Sequence, residues 1–519
     1  MENEIVSKPV ILLDGDGDGP QLPSFEMIEF EDRDLPRSNR HLFIRPEYRI
    51  ALQGLQKIRA GADKFNEGDV WGVCEKSFIP LKPVQGVVLT GQSGDGKSTS
   101  LWYILIARLS AGQPTWFQYQ SFFIYHFDKN GVRVHDARSP FIMSCPHEWA
   151  LVDSNYEVSK PHPSFQSQST FVVWATSPNE ESYRGWRKDL VEAPFYTLDN
   201  WTWAEVLNVA VHAWGLDVDD PKIQLMRTVF IKYGPTVQIC RNVLLDFVRV
   251  FVGGLLGEIL SIRTSGEIFD NLLGAPKNSR DWCLVIPGKD RYPEGRVITD
   301  HVEELLVTHL LDLDPSESYA IYSTPETYPA FSSLKDRILE RVVHSILPRS
   351  HHTIFPMPRV GEAEHLLDLT GVSYRPIQNL ESLSRNFRRG VYWVPETRRG
   401  VTAVHSVAIV KDTLYIFRIT RRSKQTIQFP ILKSIRDALP QSLQSVDKWK
   451  FVWVVPYHKS KAFSNPKTVD EAGGNTWHHN LQQYVMPVDI SSDLLRRAHI
   501  ARLETWPVEK LRLDDSDCR

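Results

Sequence analysis

Cysteine is scarce in this chain, five in 519 residues, and Cys74, Cys145, Cys240, Cys283 and Cys518 show no C-x-x-C spacing. Neither a zinc knuckle nor a disulfide framework is therefore suggested, and the thiols read as buried or free. Charge of one sign is lacking too: 60 Lys and Arg stand against 63 Asp and Glu, a formal net charge of −3, so no global affinity for polyanions follows. No run approaches the roughly 18 apolar residues that a membrane span requires. Met1-Glu2-Asn3-Glu4 opens without the basic and apolar regions of a secretory signal. The expectation is an intracellular protein, cytoplasmic or nuclear, without membrane association, folded as about two to four domains.

One apparent motif fails. Asp14-Gly-Asp16-Gly-Asp18-Gly19 matches the first half of a calcium loop, but position twelve is Phe25 where a bidentate glutamate is needed, and Pro20 follows the glycine. Residues 1–60 read as an extension without chemistry.

Residues 86–99, Gly-Val-Val-Leu-Thr-Gly-Gln-Ser-Gly-Asp-Gly-Lys-Ser-Thr, carry the strongest signal. A β-branched run leads at once into Gly91-x-x-x-x-Gly96-Lys97-Ser98, a complete phosphate-binding loop. Its glycines let backbone N–H groups converge on phosphate oxygens, its lysine reaches the β- and γ-phosphates, and its hydroxyl ligates Mg²⁺. Such a loop works between a strand and a helix N-terminus. Val87 to Leu89 suit a buried parallel strand, and Leu101, Ile104, Leu105, Arg108 and Leu109 recur at helical spacing up to Gly112 and Pro114. The expected nucleotide contacts are Gly91, Gln92, Ser93, Gly94, Asp95, Gly96, Lys97, Ser98 and Thr99. ATP and GTP are not distinguished, because no base-reading motif is present.

A nucleotide-hydrolysing fold also needs an apolar strand ending in an acid near the metal. Trp149-Ala-Leu-Val-Asp153 supplies it, after a strand at Thr115–Tyr119 and a hairpin with its turn at Asp128-Lys-Asn-Gly131. Lys97, Asp153 and Thr176 are the expected catalytic residues, and Ser98 and Asp153 the expected Mg²⁺ ligands. Phe171-Val-Val-Trp-Ala175 is a further strand, and Thr176 and Asn179 at its end either sense the γ-phosphate or form a plain turn. Arg184, Arg187 and Lys188 either neutralise phosphate or make a solvated face. Tyr233-Gly-Pro-Thr236 precedes one helical run, Val237 to Val252.

From about Val84 to Cys240, GQSGDGKST, AGQPT, WALVDSN, ATSP followed by Trp186 and Lys188, and YGP together resemble the P-loop NTPase domain of fungal and oomycete Crinkler proteins and the related retrotransposon hot spot proteins. The resemblance implies an additional-strand P-loop ATPase in which the Gly-Pro element closes over nucleotide, joined to a restriction-endonuclease-like domain. The targeting module of the secreted members is not seen, so secretion into a host is not implied.

The C-terminal third reads as α/β. Val391–Pro395, Ala403–Val410, Thr413–Thr420 and Phe451–Pro456 are strand-like, and Ile431–Leu439 is helical. The resemblance places a metal-binding aspartate where His405 stands and a polar residue of the next strand at Arg418. A neutral or cationic His405 beside the permanently charged Arg418 disfavours a divalent cation where the reaction needs anionic ligands, so nuclease activity is not expected. Residues 385–424 hold ten Lys or Arg against Glu396 and Asp412, an excess of eight, which makes DNA or RNA a candidate partner. Tyr392 and Trp393 either stack on bases or belong to the core.

The expected fold is α/β: an extension (1–60), a P-loop NTPase core (61–240), a helical connector (241–345), a degenerate endonuclease-like domain (346–470) and a tail (471–519). The expected function is ATP binding with slow hydrolysis that controls a nuclease-like, catalytically silent domain. A non-hydrolysing nucleotide-gated interaction module and a small-molecule kinase are the alternatives. Oligomeric state is left open.

Overall fold

The structure is a computed structural model. It describes residues 5–8, 25–29, 41–60, 84–139, 148–166, 170–190, 193–273, 280–349, 351–357, 364–377, 388–395, 404–469 and 481–505. The half-match to a calcium loop and residues 61–83 lie outside these. The chain divides into two compact units between Glu303 and Glu304, inside the helix Asp300–Leu310.

The first unit opens with the antiparallel strands β1 (Ile5–Lys8), β2 (Phe25–Glu29) and β3 (His41–Ile44). Helix α1 (Pro46–Arg59) follows, with proline at the first helical position, where its missing N–H costs nothing. The central sheet comprises β4 (Gly86–Thr90), β5 (Thr115–Gln118), β6 (Phe123–Asp128), β7 (Gly131–Asp136), β8 (Trp149–Asp153), β9 (Phe171–Ala175) and β10 (Phe195–Thr197). Their order is β10-β4-β9-β8-β5-β6-β7. The first five run parallel, and β6 and β7 form an antiparallel hairpin at one edge.

Composition agrees with the inner positions of the central strands. Strands β4, β8 and β9 are buried along their whole length, as the inner strands of a sheet covered on both faces must be. Alternate residues supply two cores. Leu89, Leu151 and Val173 meet Leu101, Ile104 and Leu105 of α2 (Lys97–Ser110); Val88, Val152 and Trp174 meet Tyr183, Trp186 and Leu190 on the other face. Strand β9 lies between the loop-bearing β4 and the Asp153-bearing β8, so the loop and the ends of β8 and β9 share one edge of the sheet.

Two expectations need correction. The single helix over 237–252 is broken into Val237–Leu244 and Val248–Ser261 by Asp246, whose φ of 55° lies in the left-handed region and cannot continue a right-handed helix. The stretch 241–345, expected to be helical, also contains the antiparallel hairpin β11 (Cys283–Pro287) and β12 (Pro293–Val297).

The second unit holds β13 (His351–Pro356), β14 (His365–Asp368), β15 (Ser373–Ile377), β16 (Val391–Pro395), β17 (Ser406–Val410), β18 (Thr413–Ile419), β19 (Trp449–Pro456) and β20 (Gln482–Val488). Their order is β14-β13-β20-β19-β18-β17-β16-β15. Strands β16 to β18 form an antiparallel meander, and the helix Phe429–Ala438 carries the chain across to β19, parallel to β18. Trp393, Trp449 and Trp453 fill its core. No helix among the described residues is long and apolar enough to cross a membrane.

Candidate functional site

The end of β4 turns sharply because three glycines adopt positive φ: Gly91 at 150°, Gly94 at 87° and Gly96 at 85°. Gly96 has no alternative, since a Cβ there would run into the Tyr48 hydroxyl. The turn delivers Lys97 to the first position of α2. The loop backbone is thereby wrapped ahead of a helix N-terminus, where orphan N–H groups and the helix dipole favour an anion.

Lys97 is folded back over its own loop. Its Nζ donates to Gly91 O and Gln92 O, both at 2.9 Å, and burial lowers its pKa below the ordinary lysine value. Ser98, one residue on, donates from Oγ to Asp153 Oδ1 at 2.8 Å. A hydroxyl and a carboxylate from two parallel elements thus meet beside the loop, hard oxygen donors suited to Mg²⁺ that keeps water and phosphate oxygens as its remaining ligands. Thr176 is buried at the end of β9, its N–H bonded to Leu89 O at 3.0 Å, which aligns it with the root of the loop. Thr99 is engaged by the Tyr48 hydroxyl, and Ser93 lies exposed at the tip.

The residues after Asp153 are committed elsewhere. Ser154 donates from N to Ala175 O at 2.9 Å and from Oγ to Val158 O at 3.2 Å. Asn155 donates from Nδ2 to Tyr119 O at 2.9 Å, and its Oδ1 accepts from the Glu157 and Val158 amides. Neither is placed as a base for water. Arg187 donates to Ala193 O at 2.7 Å and stacks on Phe195 at 4.1 Å, a packing role on the sheet's other face.

Four supports of the loop come from segments outside it. Buried Arg45, just ahead of α1, donates to Asp95 O at 2.9 Å, to Asp199 O at 3.1 Å, to Asn200 O at 2.9 Å and to both carboxylate oxygens of Glu205 at 3.0 and 3.3 Å. Trp201 lies 4.3 Å beneath the Arg45 guanidinium and donates from Nε1 to Gly94 O at 2.9 Å. Gln92 Oε1 accepts the Val285 amide of β11 at 3.0 Å. Helix Val237–Leu244, capped by Thr236, begins against the loop, with Gln238 3.0 Å from where a Gly94 Cβ would stand. The residues just after Gly234-Pro235, Thr236 and Gln238, therefore stand against the loop. The one trace of Arg45 in the sequence is its place before the helix-opening Pro46-Glu47.

Near these supports, Glu47 accepts from the Asp199 amide at 3.2 Å and meets Arg291 at 3.3 Å. Burial, followed by the hydrogen bond and charge of Asp199, pushes its carboxyl up to about 8 against the pull of Arg291. A carboxyl protonated in the folded state but ionised in the unfolded chain costs stability as pH rises from its ordinary range toward about 8. Glu47→Gln is therefore expected to flatten the fall of Tm between pH 6 and pH 8 in a thermal-shift series; parallel wild-type and variant curves would refute it.

In the second unit, Arg385, Arg398, Arg399 and Glu396 lie outside the described residues. The charge excess overstates what is free there. Arg421 is buried on Asp336 at 3.3 Å, Ser332 O at 3.0 Å and Glu326. Arg418 bonds Thr426 O at 3.2 Å and Gln425, over Trp453, and Arg389 pairs with Asp412 at 2.8 Å. Exposed Arg388, Lys411, Arg422 and Lys424 remain. Tyr392 and Trp393 are fully buried core residues. His405 precedes β17, its Nδ1 accepting the Ile419 amide at 3.2 Å and its Nε2 4.0 Å from Glu340. Among the described residues no three His, Cys, Asp or Glu gather as a metal cluster.

No family model matches the chain, and no curated protein does. Among solved structures, the RuvB Holliday junction branch migration motor of Thermotoga maritima is matched at 12% identity and a TM-score of 0.22, covering 55% of this chain and 77% of that one. So remote a likeness adds nothing to the geometry above.

Proposed function

We propose that the first unit binds a nucleoside triphosphate with Mg²⁺ in the loop Gly91–Lys97. The observation that carries this is the 2.8 Å contact of Ser98 Oγ with Asp153 Oδ1 at the mouth of a glycine-turned loop. Loop amides and the α2 N-terminus receive the phosphates, Lys97 exchanges its two loop carbonyls for phosphate oxygens, and Ser98 and Asp153 hold the metal or its water. When bound, Mg²⁺ neutralises charge on the β- and γ-phosphates. Thr176 is the candidate to orient the γ-phosphate or a water.

The finer reading is a Crinkler-like ATPase with slow turnover, in which the nucleotide governs a nuclease-like unit that cuts nothing. It is supported by the motif order, by the lack of a carboxylate directly after Asp153, and by His405 and Arg418 where metal-binding chemistry would need other groups. The engagement of Ser154 and Asn155 in the turn equally favours a nucleotide-gated module that does not hydrolyse. Phosphate release above background separates the two. DNA or RNA contact through exposed Arg388, Lys411, Arg422 and Lys424 is the corresponding proposal for the second unit.

The test is a nucleotide titration with and without Mg²⁺. Wild type is expected to bind at least about tenfold tighter with Mg²⁺, and Ser98→Ala and Asp153→Asn to lose that gain, worth about 1.4 kcal/mol. Mg²⁺-independent affinity in the wild type would refute the metal assignment.

A further inference from the structure

Resting on the nucleotide reading above, we propose that Asp95 is the phosphate loop's own anion, which holds a loop amide while the site is empty and takes up a proton when a triphosphate binds. Its carboxyl is wholly buried beneath the loop. Oδ2 accepts the Gln92 amide at 2.7 Å, and the same oxygen lies 3.1 Å from where a Gly91 Cβ would stand. Oδ1 is buried without a hydrogen bond. One of the N–H groups of a loop built to receive phosphate is thus spent on a carboxylate from within the loop.

The groups facing this carboxyl come from three elements. Lys97 faces it from the start of α2, Arg45 and Tyr48 from α1 and its cap, and Asp199 from the segment after β10. Arg45 does not pair with the carboxylate: its hydrogen bond goes to the Asp95 carbonyl. Lys97 is the stronger of the two compensating cations, and it is the group that must swing toward an arriving triphosphate. Binding therefore removes the positive neighbour and adds several negative charges beside a desolvated carboxyl, and both changes favour its neutral form. Burial already raises the Asp95 carboxyl to about 7, so the required proton is available near neutrality. A neutral Asp95 can still accept the Gln92 amide, or turn and leave it to a phosphate oxygen.

The linkage has a definite sign. Triphosphate binding is tightest at acid pH and weakens as pH rises above about 7, because an ionised Asp95 must first be protonated. The experiment is isothermal titration of the full chain with a nonhydrolysable ATP analogue and saturating Mg²⁺, from pH 6.5 to pH 9, in buffers of different ionisation heat. Wild type is expected to take up close to one proton per bound analogue near pH 8.5, with Kd rising toward about tenfold per pH unit. Asp95→Asn keeps an acceptor for the Gln92 amide and is expected to lose that uptake and flatten the profile. Uptake that persists unchanged in Asp95→Asn belongs to Lys97 and overturns the proposal. Absence of uptake by the wild type overturns it even if the variant does not fold, while leaving nucleotide binding intact. No binding by the wild type at any pH defeats the nucleotide reading and the proposal with it.

Discussion

Lys97→Ala is expected to weaken Mg²⁺-nucleotide binding by about 10- to 150-fold, the 1.5–3 kcal/mol of a charge-assisted contact, and to bring phosphate release to background. The side chain is poised for this loss. Its ammonium is held over the loop by two carbonyls at 2.9 Å, which a triphosphate replaces with better, charged acceptors. Fold stability is expected to change little. Burial penalises this ammonium and lowers its pKa, which offsets the two carbonyls and the Asp95 charge that its loss uncovers, so in the absence of nucleotide the variant should melt close to the wild-type temperature. A binding loss joined to a nearly unchanged Tm identifies a group kept for its ligand. A variant that both binds normally and melts normally would remove Lys97 from the site.

Arg45→Ala is expected to cost the first unit about 3–5 kcal/mol, because it leaves a partly buried Glu205 charge and three backbone carbonyls without their donor. For a unit of this size, each kcal/mol shifts the midpoint by about 2–4 °C, so melting should fall by about 6–20 °C. Nucleotide affinity should fall as well, since Asp95 O and, through Trp201, Gly94 O lose the props that shape the loop. Arg45→Lys keeps the charge but cannot present five donors in a plane, and it should recover only part of the loss. Wild-type melting of Arg45→Ala would show that the guanidinium only fills space.

Much of the candidate site's placement was legible because its residues are local to the loop or end apolar runs. The glycines, Lys97 and Ser98 stand within eight residues, and Asp153 and Thr176 each end an apolar run. A strand's last residue faces the same sheet edge wherever that strand lies in a parallel sheet. Strands such as Val391–Pro395, Trp149–Asp153 and Phe171–Ala175 agree to the residue with the apolar runs that announced them. The broken helix at Asp246 was not legible, because a single aspartate at positive φ leaves no periodic trace. Surface charge was misjudged for a related reason: Arg418 and Arg421 count as cations in the sequence, yet their partners Gln425, Glu326 and Asp336 come from the fold.

The sequence by itself determined the glycine-rich turn before Lys97, the hydrophobic strands around it and the ends of those strands at which Asp153 and Thr176 stand, since each depends on neighbours a few residues away. Tertiary structure alone decided that β9 separates the loop strand from the Asp153 strand, that Arg45 and Trp201 clamp the loop from segments 50 and 107 residues distant, and that the Asp95 carboxyl lies sealed beneath it. Hydrogen bonds and burial across such separations depend on how the sheet is ordered and covered, and no local pattern of side chains encodes that.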